Sequence, residues 1–132
     1  MQPIKTKPQA QGCVTLSLPL PPSANAIWKS YRRRVVKSWQ YCKWLQVAGL
    51  MIGKPGQVPG PLEIQIKAIT GKGWRKNRDL DNLAKPLIDL LKHTGIIEDD
   101  NSTIVRRITL WMEQPTGGED AGVVVTVQKL GV

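Results

Sequence analysis

Proline and glycine interrupt this chain so often that only short elements fit between them. There are ten prolines and twelve glycines in 132 residues. Proline can neither continue a helix nor donate to a strand ladder, and glycine favours turns. The run Leu18-Pro19-Leu20-Pro21-Pro22-Ser23-Ala24-Asn25 therefore ends whatever precedes it. What precedes it alternates. Val14, Leu16 and Leu18 share one face and Thr15 and Ser17 the other, which predicts a strand from Cys13 to Leu18.

The same reasoning divides the rest. Residues 1–12 read as a flexible tail and 13–132 as a single domain. Ser38 is placed to cap a helix whose apolar stripe is Tyr41, Trp44, Leu45, Ala48, Met51 and Ile52, ended by Gly53, Pro55 and Gly56. Leu62, Ile64, Ile66 and Ala68 alternate with Glu63, Gln65 and Lys67, a strand with one wet face. A second helix runs from about Asn82 to His93 on Leu83, Leu87, Leu90 and Leu91, with Gly95 suited to its end. Pro86 is tolerated only in a first turn, so this helix starts around Asn82–Leu83 or kinks. Thr103–Met112 and Val123–Leu130 read as strands joined by a turn-rich connection that fits a hairpin. Residues 28–37 and 71–78 read as basic loops, the latter flexible. The element order β-α-β-α-β-β describes an α+β domain: a small four-stranded mixed sheet with two main helices.

Charge is unevenly divided. Before Asp79 there are fourteen Lys and Arg against one acid, Glu63; from Asp79 onward there are five against nine acids. The net charge of +9 favours a polyanionic partner through counterion release. Cys13 and Cys42 stand alone and His93 is the one histidine, which argues against zinc, a disulfide framework and Ser-His-Asp chemistry. No run is long enough for a membrane span, and the start of the chain has no hydrophobic signal region, so a cytoplasmic setting is expected.

The informative stretch is Arg78-Asp79-Leu80-Asp81-Asn82-Leu83-Ala84-Lys85-Pro86. In an extended segment Asp79 and Asp81 point the same way. Two carboxylates facing one space repel unless a cation or proton intervenes. With no histidine or cysteine nearby, oxygen ligands alone suit Mg²⁺, Mn²⁺ or Ca²⁺. Lys85, four residues after Asp81, can share its helix face and set an ammonium beside the ion, and Asp89 continues that stripe. A third acid is expected from Glu98-Asp99-Asp100, and spacing alone does not choose among them. Taken singly, Asp81 reads equally as a helix cap and Glu98–Asp100 as a solvated turn. Paired acids, a lysine one turn on and basic loops on both sides together indicate metal-assisted phosphodiester chemistry. Of the five tryptophans most are expected in the core or an interface. Trp74 is the exception, in a basic, glycine-flanked loop where it could stack on bases.

R-D-L-D-N-L-x-K-x-x-x-D-x-L followed by G-x-x-x-D-D resembles the RusA family of Holliday junction resolvases, and L-P-x-P-P-S-x-N-x-x-W is similar to that family's N-terminal motif. The resemblance spans roughly Val14 to Val127. It implies a homodimeric endodeoxyribonuclease, often carried by phages and prophages, that resolves four-way DNA junctions in recombination and repair. It implies Mg²⁺, with Mn²⁺ as a substitute, and no organic cofactor. By position, the essential carboxylates are Asp79, Asp81 and Asp100 rather than Asp99, and the essential lysine is Lys85. Asn25 shapes the site and Arg78 faces phosphate; Arg32, Arg33, Arg34, Lys72, Arg75 and Lys76 are the further expected DNA contacts. The loops around Arg32–Arg34 and Gly71–Lys76 do not align with the family. A four-way junction is cut on two strands related by near two-fold symmetry, which also calls for a dimer. A non-catalytic DNA-binding module, or a metal nuclease acting on flaps, is the alternative.

Overall fold

A computed structural model describes residues 12–76, 78–115 and 117–131. The expected tail, 1–12, lies outside the described residues apart from Gly12. The strands are β1 (Cys13–Pro19), β2 (Trp28–Tyr31), β3 (Arg34–Lys37), β4 (Leu62–Ile69), β5 (Val105–Glu113) and β6 (Gly122–Lys129). The helices are α1 (Trp39–Ile52) and α2 (Ala84–His93), and single 3₁₀ turns occupy Ala24–Ala26 and Leu80–Leu83. The main sheet has four strands in the order β1-β6-β4-β5. It is mixed: β6 runs antiparallel to β1 and β4, and β5 runs parallel to β4 after the α2 crossover.

The core lies between this sheet and the helices. Leu16 of β1, Ile64 and Ile66 of β4 and Val125 of β6 are fully buried, facing Ala48 of α1 and Leu87, Leu90 and Leu91 of α2. Each large aliphatic side chain so buried contributes about 1.5–3 kcal/mol. Ser38 caps α1 as expected, its hydroxyl accepting from the Tyr41 amide at 3.2 Å, and it donates to the Ala26 carbonyl at 2.6 Å. Pro86 falls in the first turn of α2, because the 3₁₀ turn at Leu80–Leu83 delays the helix to Ala84. Glu63, expected on a wet face, is nearly covered, with Arg107 at 3.6 Å.

Three expectations are corrected. The last two strands form no hairpin. β6 inserts between β1 and β4, while β5 takes the outer edge. Composition explains the choice: Val123, Val125 and Val127 suit a covered central strand, whereas Arg106, Arg107, Thr109 and Glu113 suit an edge. Residues 28–37 are not a loop but a second, two-stranded sheet, β2–β3. The loop expected to be flexible is anchored at its start: the Lys72 amide donates to Glu119 and the Lys72 carbonyl accepts from Ala121. A Cβ at Gly71 would meet the Glu119 carbonyl oxygen at 2.0 Å, so this docking requires glycine. No helix among the described residues is long and apolar enough to cross a membrane.

Candidate active site

The N-terminal and central motifs meet in one cleft of about 420 Å³. Ser23, Asn25 and Ala26 line it from the first 3₁₀ turn and the residues before it, Gln40 from the start of α1, and Arg75, Arg78, Asp79 and Asn82 from the loop and turn before α2. Ser38 fixes the first wall, since the hydroxyl that caps α1 also binds the Ala26 carbonyl. Arg78 joins the two motifs. Its guanidinium donates to the Pro21 carbonyl and lies over the Trp74 ring at 5.7 Å. Burial, and then the charge of Arg75, lower its pKa from the usual arginine value. Its Nε is buried without a hydrogen-bond partner among the described residues.

Asp79 is exposed at the N-cap of the turn Leu80–Leu83, and its side chain makes no capping hydrogen bond. Its carboxylate therefore remains available to the cleft. The alternation expected to point Asp79 and Asp81 the same way does not operate. Asp79 is extended, at φ −78 and ψ 133, but Asp81 already belongs to the 3₁₀ turn. Residues three apart eclipse in such a turn, and Asn82, three after Asp79, shares the cleft with it while Asp81 is not among the lining residues.

The other candidates are held elsewhere. Lys85 pairs with Asp89 at 3.1 Å, one turn along α2 rather than back toward Asp81. The Tyr41 hydroxyl donates to the same Asp89 at 3.2 Å. Burial first, then the Asp89 charge, push the Tyr41 pKa well above the ordinary tyrosine value, so the phenol stays a donor. Asp100 lies 3.5 Å from Lys92, which also reaches Asp99 at 3.3 Å. The hydrogen bond to Asp99, followed by the Asp100 charge, raises the Lys92 pKa. Asp99 is engaged locally: its carboxylate accepts from the Asp100 amide, Lys92 and the Asn101 side chain, which together lower its pKa.

Among the described residues, no three Asp, Glu, His or Cys side chains gather closely enough to share one metal ion. The donor types nevertheless suit a hard cation, being carboxylates without sulfur or imidazole. Carboxylates facing one space repel unless a cation or proton intervenes, and Lys92 is a cation beside Asp100. The structure thus brings Asn25, Arg75, Arg78 and Asp79 together and leaves Asp81, Lys85 and Asp100 outside the cleft lining.

Around it stand the other expected cations. Lys72, Lys76 and Arg75 are exposed on the anchored loop, and Arg32, Arg33 and Arg34 sit at the tip of the β2–β3 hairpin. Trp74 is half-buried against the core beneath Arg78, so it is not a freely projecting ring. Trp28 and Trp39, by contrast, are 54% and 72% exposed and lie outside the core. Asn82 and Gln40 are among the cleft residues that sequence reasoning does not single out. Asn82 lies inside the central motif and carries a signal; Gln40 carries none.

The family described as Endodeoxyribonuclease RusA matches residues 5–128. A crossover junction endodeoxyribonuclease rusA from Enterobacteria phage HK97 is 30% identical over 105 residues, covering 76% of this chain and 84% of that protein. The cleft is built from the two segments that carry the family's motifs, and the chain belongs to the RusA family of endodeoxyribonucleases.

Proposed function

We propose that this chain is a homodimeric, Mg²⁺-dependent endonuclease that resolves four-way DNA junctions in recombination and repair. The observation that carries the reading is the cleft that Asn25, Arg75, Arg78 and Asp79 line together: a carboxylate with no capping task in a cleft that two arginines also line. The name of the HK97 relative supports the substrate.

Asp79, Asp81 and Asp100 are the residues that would hold Mg²⁺, or Mn²⁺ in its place, with Lys92 competing for Asp100. When bound, the ion supplies a water of lowered pKa and polarises the scissile phosphate. Arg75 and Arg78 hold the phosphodiester backbone at the cleft that Asp79 lines, and Asn25 shapes its wall. Lys85 stabilises charge developing on the phosphoryl oxygens. Its pair with Asp89 does not prevent this, because Lys85 is itself exposed and an i, i+4 pair contributes only about 0.3–0.5 kcal/mol. Arg32, Arg33, Arg34, Lys72 and Lys76 contact the backbone farther out.

The test is cleavage of four-way junctions, flaps, linear duplex and single strands, with and without Mg²⁺. Paired, metal-dependent nicks in the junction alone are expected. Junction binding without any metal-dependent product would make the chain a non-catalytic module. Equal cutting of flaps would make it a nuclease of broader branched substrates.

A further inference from the structure

The cleft continues into a second, more apolar groove, and Pro22 and Gln40 line both. The groove, also about 420 Å³, lies between the proline run from Pro19 and the stretch of α1 from Trp39 to Val47. Its main-chain polar groups are already satisfied. The Pro19 carbonyl accepts from the Trp44 indole at 3.1 Å, and the Pro21 carbonyl accepts from Arg78. Proline has no amide to donate. The same two bonds fix the walls. Trp44 is buried and stacked with Tyr41, and Arg78 ties the proline run to the cleft. What the groove offers a ligand is therefore flat apolar surface and two exposed polar side chains, Gln40 and Lys43. Trp39 is the open aromatic ring of its lining, and the Lys43 ammonium lies 4.9 Å from the centre of that ring.

The continuity of groove and cleft identifies the occupant. The chain belongs to an endodeoxyribonuclease family, and Arg75 and Arg78 line the cleft. A phosphodiester held there has a base on the adjoining sugar, and the groove opens beside it at Gln40. Such a base has flat apolar faces and polar edges, which is the complement of this lining. Duplex DNA resists giving up a base, but the cost is least where pairing is already interrupted, as at the centre of a branched substrate.

We propose that the groove takes one unstacked nucleobase of the strand whose phosphate lies in the cleft. The base stacks on Trp39, the Gln40 amide meets its polar edge, and Lys43 attracts the neighbouring phosphate. The prolines form a rigid wall, because their φ is fixed before anything binds. Stacking on a ring face is tolerant of base identity, so the site selects unpaired character rather than sequence. It deepens the proposed junction chemistry and rests on that reading for the source of the base.

Anisotropy titrations of the full chain in EDTA test this. The probes are an oligothymidine and an abasic oligodeoxynucleotide of equal length, which carries the same phosphates and no bases. The wild type should bind oligothymidine roughly tenfold more tightly, the usual scale for a base stacked on an aromatic ring. Trp39→Ala should remove that preference without changing affinity for the abasic strand, and Trp39→Phe should restore most of it. Trp28→Ala, an open ring outside the groove, should keep the preference. 5-Iododeoxyuridine at the exchange point of a four-way junction should photocrosslink to Trp39 in the wild type, a readout that needs no variant to fold. Equal affinity of the wild type for the two strands would overturn the site. So would a Trp39→Ala loss of equal size on both, the same loss in Trp28→Ala, or a crosslink outside the groove; the groove would then be left to a protein ligand. Junction cleavage is scored separately. A base preference without metal-dependent cutting refutes the nuclease reading alone, and cutting without a base preference refutes this site alone.

Discussion

Asp79 and Asp81 are two residues apart, yet the backbone gives them different surroundings. The change from extended chain to 3₁₀ turn falls between them, so Asp79 enters the cleft with Asn82 and Asp81 does not line it. Asp79→Asn should accordingly abolish Mg²⁺-dependent junction cleavage. It should leave junction affinity equal or higher, because one anion facing phosphate is removed; gel shifts in EDTA, paired with a cleavage time course, measure both. Cleavage at wild-type rate by that variant would strip Asp79 of its role. Lys85→Ala should slow single-turnover cleavage by about 10²–10³-fold, the usual effect of removing a group that stabilises developing charge. Binding should change little, because the charge that Lys85 stabilises develops only in the transition state. Weaker affinity at an unchanged rate would reduce Lys85 to a backbone-binding role.

The elements with strong periodicity are legible in the residues themselves. α1 and α2 follow from leucine and aromatic spacing, β1 and β4 from alternation, and the Ser38 cap from residue type alone. The β2–β3 hairpin does not, for a specific reason. Its two-residue turn is Arg32-Arg33, both at positive φ, +48° and +65°, where Asn-Gly is the ordinary choice. Nothing in Arg-Arg signals a turn of that kind. Nor does spacing show that β6 enters the sheet between β1 and β4, which depends on long-range pairing. In the site, the motifs name Asn25, Arg78 and Asp79, but only the tertiary fold brings Gln40 to them. Holding L-residues left-handed is unfavourable by about 1–2 kcal/mol each, which polyanion binding at the tip would explain. Replacing Arg32-Arg33 by Asn-Gly should therefore have two effects of opposite sign. The hairpin should become more stable, seen as slower amide exchange in β2 and β3. Junction binding should weaken, with its log–log salt slope reduced by about 0.9 for each phosphate that the tip no longer neutralises. An unchanged slope would remove the hairpin tip from the DNA interface.

Across the whole molecule, the basic and acidic parts of the sequence fold against one another at the cleft. Arg75 and Arg78 come from the end of the basic half, and Asp79 opens the acidic one. Ser38 and Arg78 tie the N-terminal motif to that junction, through Ala26 and Pro21 respectively. Binding of Mg²⁺ by the folded chain alone must then raise global stability by mass action. At ten times its dissociation constant the gain is about 1.4 kcal/mol, a shift of a few degrees in melting temperature for a domain of this size. The same titration on Asp79→Asn should give little or no shift, while a spectator substitution such as Thr15→Ser, on the polar face of β1, should keep the full one. This measurement needs no DNA and no turnover, so it isolates the ion site from catalysis. A melting temperature in Mg²⁺ that rises equally in wild type and Asp79→Asn would assign the ion to the general charge of the chain. The carboxylates would then lack a common ligand, and phosphodiester hydrolysis would have to be assigned to other residues of the cleft.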